Sequence, residues 1–255
     1  MLAVRELDVS VAGISVCRGL NFTAQPGEFW AVLGRNGSGK TTLLHTLAGL
    51  RKPQAGQISL ADRDIVQWPK REFAQQLGIL LQDSEDLFPS TVLESALIGR
   101  HPHLGRWDDE SPQDVAIARQ ALAEMDLAER DNTSTRVLSG GERRRLALAT
   151  LFTQTPRVLL LDEPVNHLDL QHQVRALESV AQRVRDRDRA CVALAVLHDV
   201  NLAARFCNRV LMMHGNGHVV SGLTEDLMNG EQLSRLYQHR VREIAFEGER
   251  LFVPG

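Results

Sequence analysis

Cysteine is scarce in this 255-residue sequence, which holds three, Cys17, Cys191 and Cys207. They are far apart, odd in number and mostly in apolar surroundings. A disulfide framework and a zinc site are therefore excluded, and the thiols are expected to be reduced packing residues of a cytosolic protein. Long apolar runs are missing too. No stretch of 18 or more apolar residues occurs, and the start Met1-Leu2-Ala3-Val4-Arg5-Glu6 has neither a basic leader nor a long apolar region, so neither a membrane span nor export is expected. Any membrane role has to come through a partner. Charge of one sign is also lacking: 29 Lys+Arg against 32 Asp+Glu leave a net −3, which gives no electrostatic footprint for nucleic acid. There is no internal repeat and no low-complexity linker. What the chain does have is 43% hydrophobic residues, enough for one sizeable core or a core with an inserted subdomain.

Short β-rich segments come first, at residues 2–9, 19–23 and 28–33, broken by Gly13 and by Pro26-Gly27. A helix follows and ends near Gly49. Residues 57–60 read as a strand, and 78–81 as another that stops at Gln82. From Thr91 to about Gln154 the apolar spacing turns to three and four residues, which predicts an all-helical insertion. Strand and helix then alternate: a strand at 157–161, a helix at about 171–187, a strand at 191–197 and a helix at 200–207. Alternation of apolar strands with helices predicts a parallel α/β sheet. The tail, 241–253, reads as a small hairpin around Gly248.

Two glycine-rich turns open helices. Gly34-Arg35-Asn36-Gly37-Ser38-Gly39-Lys40-Thr41 follows the apolar run Phe29-Trp30-Ala31-Val32-Leu33 and leads into Thr42-Leu43-Leu44, the strand-to-helix context that a P-loop requires. Gly37 and Gly39 let the backbone curl so that successive N–H groups face phosphate oxygens, and the helix adds its positive end. Lys40 is expected to reach the terminal phosphates and the Thr41 hydroxyl to ligate magnesium. The second turn, Leu138-Ser139-Gly140-Gly141-Glu142, can present a hydroxyl and bare N–H groups to another anion, but it has no lysine. A serine N-cap completed by Glu142 in a capping box explains it equally well.

In an open parallel sheet, ligands bind at the carboxyl ends of the strands. Three ends carry polar residues here: Val158-Leu159-Leu160-Leu161 runs into Asp162-Glu163, Ala193-Leu194-Ala195-Val196-Leu197 into His198, and Ile79-Leu80-Leu81 into Gln82. With Gly34 they would ring a bound nucleotide. Asp162 is placed to hold magnesium or its waters, Glu163 to polarise an attacking water, and His198 to orient that water against a γ-phosphate. Gln82, a neutral amide, can bond magnesium or the water. An isolated acid pair, a lone histidine or a surface glutamine would each be unremarkable alone.

Taken in order, GRNGSGKT, Gln82, LSGGE, LLLDEP, Asn166-His167-Leu168-Asp169 and His198 resemble the Walker A, Q-loop, signature, Walker B, D-loop and H-loop of ABC transporter ATPase subunits. The likeness covers nearly the whole chain. It implies a single ABC ATPase domain over 1–255, with a RecA-like P-loop NTPase core and an N-terminal antiparallel β subdomain in 1–84 and 155–255. An α-helical subdomain with the signature turn is inserted at 85–154. It further implies a dimer with a second ABC ATPase, enclosing two ATPs. Ser139, Gly140, Gly141, Glu142 and Asp169 would contact the partner's nucleotide in trans, and the phosphates would rest on residues 34–42, that is Gly34, Arg35, Asn36, Gly37, Ser38, Gly39, Lys40, Thr41 and Thr42. A polytopic membrane permease and, indirectly, a substrate-binding protein would complete the assembly on the inner face of the plasma membrane, with residues 83–97 as the docking surface.

Pro89-Ser90-Thr91-Val92 through Gly99-Arg100-His101-Pro102-His103 is similar to the ATPases that serve iron–siderophore, haem and cobalamin permeases. His101 and His103 lack a third ligand and are expected to be surface rather than a metal site. Two departures stand out. Val11-Ala12-Gly13 lies where an aromatic residue usually stacks on adenine, so base selectivity is expected to be modest. Arg143-Arg144-Arg145 follows the signature, where three cations oppose the helix dipole, and a solvated face is the simplest expectation for them. A soluble ABC ATPase of iron–sulfur cofactor assembly would share these motifs. A nucleotide-gated regulatory module with little turnover is disfavoured by Glu163 and His198.

Overall fold

The computed structural model describes residues 1–82 and 89–255. Antiparallel strands β1 (Leu2–Val11) and β2 (Ile14–Ala24) open the chain and lead into β3 (Phe29–Gly34), whose six residues are all buried. Helix α1 (Lys40–Leu47) follows the glycine turn and closes at Gly49, which takes φ +70 while Leu50 N–H bonds the His45 carbonyl at 3.0 Å. Next come β4 (Ala55–Leu60), the two-residue β5 (Arg63–Asp64), α2 (Lys70–Gln76) and β6 (Leu77–Leu80).

Among the described residues between β6 and β7 (Val158–Asp162) lie the helices α3 (Val92–Leu97), α4 (Pro112–Glu124) and α5 (Gly140–Thr153). Each begins with a reciprocal capping box, Thr91/Glu94, Ser111/Asp114 and Ser139/Glu142, so three N-termini are specified locally. Helix α6 (Leu170–Arg185), β8 (Val192–Val196) and α7 (Val200–Phe206) continue the alternation. The chain then adds β9 (Arg209–Gly215), β10 (His218–Leu223), α8 (Thr224–Leu227) and α9 (Gly230–Tyr237). It ends in the hairpin of β11 (Val241–Phe246) and β12 (Glu249–Pro254).

The strands form a four-stranded antiparallel sheet, β2-β1-β4-β5, and a six-stranded sheet, β10-β9-β3-β8-β7-β6, in which every pair is parallel except β9 with β10. The parallel strands are buried on both faces, and each face feeds a separate core. Phe29, Ala31 and Leu33 join Leu159, Leu161, Ala193 and Ala195 beneath α4 to α7. Trp30, Val32, Leu160 and Leu194 join α1 and the antiparallel sheet. An unbroken apolar run is therefore what such a strand requires, because both its odd and its even residues leave water. No helix among the described residues is long and apolar enough to cross a membrane.

Candidate nucleotide site

The glycine turn lies at the carboxyl end of β3, flanked by β8 and β9. Gly37 and Gly39 both take positive φ, +78 and +95, and a Cβ on Gly39 would stand 2.6 Å from a Val16 methyl. Only glycine satisfies that angle and that approach together. Gly39 leaves the helix start without a side-chain cap, and the first helical bond runs from Leu43 N–H to the Gly39 carbonyl, so the N–H groups of Lys40, Thr41 and Thr42 remain available for an anion. Lys40 is buried, and its Nζ donates to the Gly34 and Arg35 carbonyls at 2.9 and 3.1 Å. Burial lowers its pKa, opposed by the charges of Glu163 and Asp162.

Asp162, at the end of β7, has no exposed surface, and neither carboxylate oxygen forms a hydrogen bond of ordinary geometry among the described residues. Burial raises its pKa, while the adjacent Thr41 hydroxyl works the other way. Two buried acceptor oxygens without donors, next to a hydroxyl, are a costly arrangement that a hard divalent cation would relieve. The donor set therefore fits magnesium. Glu163 follows in the left-handed region at φ +50. His198 Nε2 lies 2.7 Å from its Oε1, and Asn166 Nδ2 donates to its Oε2. Because a carboxylate can only accept, His198 carries its proton on Nε2.

Glu163, Asn166, His198, Gln82, Lys40 and Thr41 all line one open cleft of about 750 Å³. Val11, Ala12, Ile14 and Val16 add an apolar part to its lining, which contains no aromatic ring other than the His198 imidazole among the described residues. Asn166 occurs within the D-loop-like run, but nothing in its spacing marks it as the second holder of Glu163. A half-buried carboxylate with a donor on each oxygen is visible only in three dimensions.

The second glycine turn is not part of the lining of this cleft, nor is Asp169. Ser139 Oγ accepts from Glu142 N–H at 3.3 Å, and Glu142 Oε2 in turn accepts from Ser139 N–H and Oγ, both at 2.8 Å. Those bonds, the backbone one first, hold the Glu142 carboxyl below its usual range. Nothing lies within 4 Å of a Cβ built on Gly140. Asp169 caps α6 by accepting from His172 N–H at 2.9 Å. Val137 and Leu170, beside these two features, are 71% and 73% exposed.

Two expectations need correction. Arg143-Arg144-Arg145 is a solvated helix face only at Arg143: Arg144 is buried and donates to main-chain carbonyls, and Arg145 bonds the Met125 and Asp126 carbonyls at 2.8 and 3.1 Å. Among the described residues, carbonyl oxygens at strand and helix ends accept hydrogen bonds from both side chains. His103 is half-buried rather than a surface residue, because its Nε2 bonds the Gln154 carbonyl at 2.9 Å. No cluster of metal-ligating side chains occurs among the described residues. Residues 83–88, which include most acids of the expected docking segment, lie outside the described residues.

The sequence model of the ABC transporter family matches residues 17–166. The hemin import ATP-binding protein of Myxococcus xanthus is 38% identical over 95% of this chain and 94% of its own length. The cobalamin import ATP-binding protein of Halobacterium salinarum is 37% identical over 88% of this chain and 57% of its own length. Among solved structures, a metal-chelate type ABC transporter in an inward-facing conformation matches with a TM-score of 0.85 and 25% identity, over 99% of this chain and 96% of that one.

Proposed function

Because the chain belongs to the ABC transporter family, we propose that it is the ATP-hydrolysing subunit of an importer for a chelated-metal cargo of the haem, iron–siderophore or cobalamin kind. Import subunits of this family hydrolyse ATP to power transport. The observation that carries the reading is the Glu163 carboxylate, bonded at one oxygen by His198 and at the other by Asn166, in a cleft that the glycine turn also lines.

In this reading the first-turn N–H groups and Lys40 bind the phosphates of ATP. Thr41, Gln82 and Asp162 would hold magnesium, which would supply neutralisation of the charge on the phosphates. The Glu163 carboxylate accepts the proton of the attacking water, and the His198 Nε2–H keeps that carboxylate turned toward the cleft. Ser139, Gly140, Gly141, Glu142 and Asp169 serve the nucleotide of a second copy. None of them lines this chain's own cleft, and the exposed Val137 and Leu170 lie beside them in sequence, which supports that division. ATP then bridges two chains, and loss of the γ-phosphate releases them.

A second cleft, of about 350 Å³, opens between β6 and the helices, with Leu81, Ile98, Pro102, Leu146 and Ala147 in its walls. Leu81 and Ile98 are 38% and 53% exposed. It supports docking of the permease on this flank, which keeps the chain at the cytoplasmic face through its partner. The test is co-reconstitution with the permease in liposomes: ATP-dependent uptake of hemin or cobalamin is expected, and steady ATP hydrolysis without uptake of any chelated cargo would contradict the import role.

A further inference from the structure

Arg144 sits on the first turn of α5, five residues after Ser139, with 7% of its surface exposed. Its guanidinium does not turn toward solvent. Nη1 donates to the Leu81 carbonyl at 2.6 Å and to the Gln82 carbonyl at 3.2 Å. Nη2 donates to the Asp162 carbonyl and, at 2.8 Å, to the Glu163 carbonyl. Nε donates to the Pro164 carbonyl at 3.3 Å. Five carbonyls from the ends of two neighbouring strands, β6 and β7, thus converge on one side chain of a third element.

The geometry explains why an arginine occupies this place. Parallel strands that stop side by side leave carbonyls without a ladder partner, and each must find a donor once it is buried. A guanidinium carries five N–H donors in a rigid planar fork, whereas a glutamine amide offers two and a lysine three on a flexible stem. The clamped stretch is also where the backbone departs from the strand: Glu163 takes φ +50, a conformation that a non-glycine residue keeps only when its surroundings hold it there. Three consecutive carbonyls, those of Asp162, Glu163 and Pro164, are fixed together across that reversal.

We propose that Arg144 is a positioning residue for hydrolysis, fixing the main chain of Glu163 and Gln82 to the helix whose N-terminus carries Ser139, Gly140 and Gly141. The inference rests on the ATPase reading above and adds a mechanical consequence. One end of the clamp holds the groups that act on this chain's own nucleotide. The other end belongs to the turn assigned to the second copy's nucleotide. A shift of the α5 start on dimer closure therefore carries Glu163 with it, so each chain's capping turn and its own hydrolytic carboxylate move as one piece.

Arg144→Gln and Arg144→Lys test this, with ATP affinity measured by calorimetry and turnover by phosphate release. The hydrogen bonds of Arg144 described above run to residues 81, 82 and 162–164 and not to the glycine turn, so ATP affinity is expected to stay within about three-fold for both variants, whereas kcat falls at least about ten-fold in Arg144→Gln, because small misplacement of a catalytic group costs rate rather than binding. Arg144→Lys is expected to lie between Arg144→Gln and the parent in kcat. A merely structural role predicts instead that ATP affinity and kcat decline together with thermal stability. Turnover of Arg144→Gln within about two-fold of the parent, or a loss confined to KM, overturns the inference. If Arg144→Gln does not fold, Arg144→Lys decides alone, and an unchanged kcat there overturns it. A parent protein that releases no phosphate would remove the ATPase reading and this inference with it; an active parent with an indifferent Arg144→Gln removes only the inference.

Discussion

His198 donates from Nε2 to Oε1 of Glu163 at 2.7 Å, joining the ends of two strands that the sequence separates by 35 residues. Asn166 holds the other oxygen. The histidine is 41% exposed on its side chain and the glutamate 13%, so the carboxylate is sheltered while its holder faces the cleft mouth. A base that is fixed and partly desolvated, with both oxygens already bonded, is presented to water in one orientation.

Glu163→Gln keeps the shape of the side chain and an oxygen for His198 to bond, but it removes the proton acceptor. ATP binding should stay within a few-fold and turnover should fall by about a hundred-fold or more, with an ATP-dependent dimer appearing in light scattering after gel filtration. Phosphate release at the parent rate would show that Glu163 is not the base.

The apolar part of the cleft lining is built from Val11, Ala12, Ile14 and Val16, and Ile14 is 64% exposed. Aliphatic contact with a purine depends on area and not on the pattern of donors and acceptors at the base edge, so it separates bases weakly. GTP is expected to compete with ATP within about ten-fold in a displacement assay. A larger preference for ATP would require a polar contact to the base from elsewhere.

Asp114 supplies a pH dependence of stability with a definite sign. Its carboxylate accepts from the Ser111 hydroxyl at 2.6 Å, from Ser111 N–H at 2.9 Å and from Arg100 Nε at 2.7 Å, and these bonds pull its pKa from 3.8 to about 2. The folded pKa lies below the unfolded one, so the contribution is complete above about pH 4 and disappears as the pH falls through about 2. Asp114→Asn should lower stability by about 2 kcal/mol at pH 7 and by progressively less below pH 4. Urea midpoints of the two proteins at pH 7 and pH 3 check this, and a constant difference would exclude the carboxylate as its source.

The parallel sheet was readable because Val158-Leu159-Leu160-Leu161 and Ala193-Leu194-Ala195-Val196 are buried on both faces, so period-two alternation is absent and an apolar run stands out. The α1 and α5 starts were readable because Gly39 and the Ser139/Glu142 pair set them within a few residues of sequence. The hairpin of β9 and β10 and helix α9 were not. The outer strand β10 is only half-buried along its length, so alternation is weak there, and α9, although Leu233 and Leu236 share one buried face, is only eight residues long. At the site, the positions at strand ends could be inferred from where apolar runs stop. The role of Arg144 could not, because its acceptors are main-chain oxygens, which any sequence supplies equally.

The three thiols have a practical consequence. Cys17, Cys191 and Cys207 are at most 5% exposed, and burial pushes Cys17 and Cys191 up to about 11 and raises Cys207 as well. Since the thiolate is the reactive form, the native protein is a silent background for maleimide chemistry at neutral pH. A cysteine introduced at Val137 would then be the one sulfur that reacts, and its labelling rate with and without ATP would time the opening and closing of the shared surface directly.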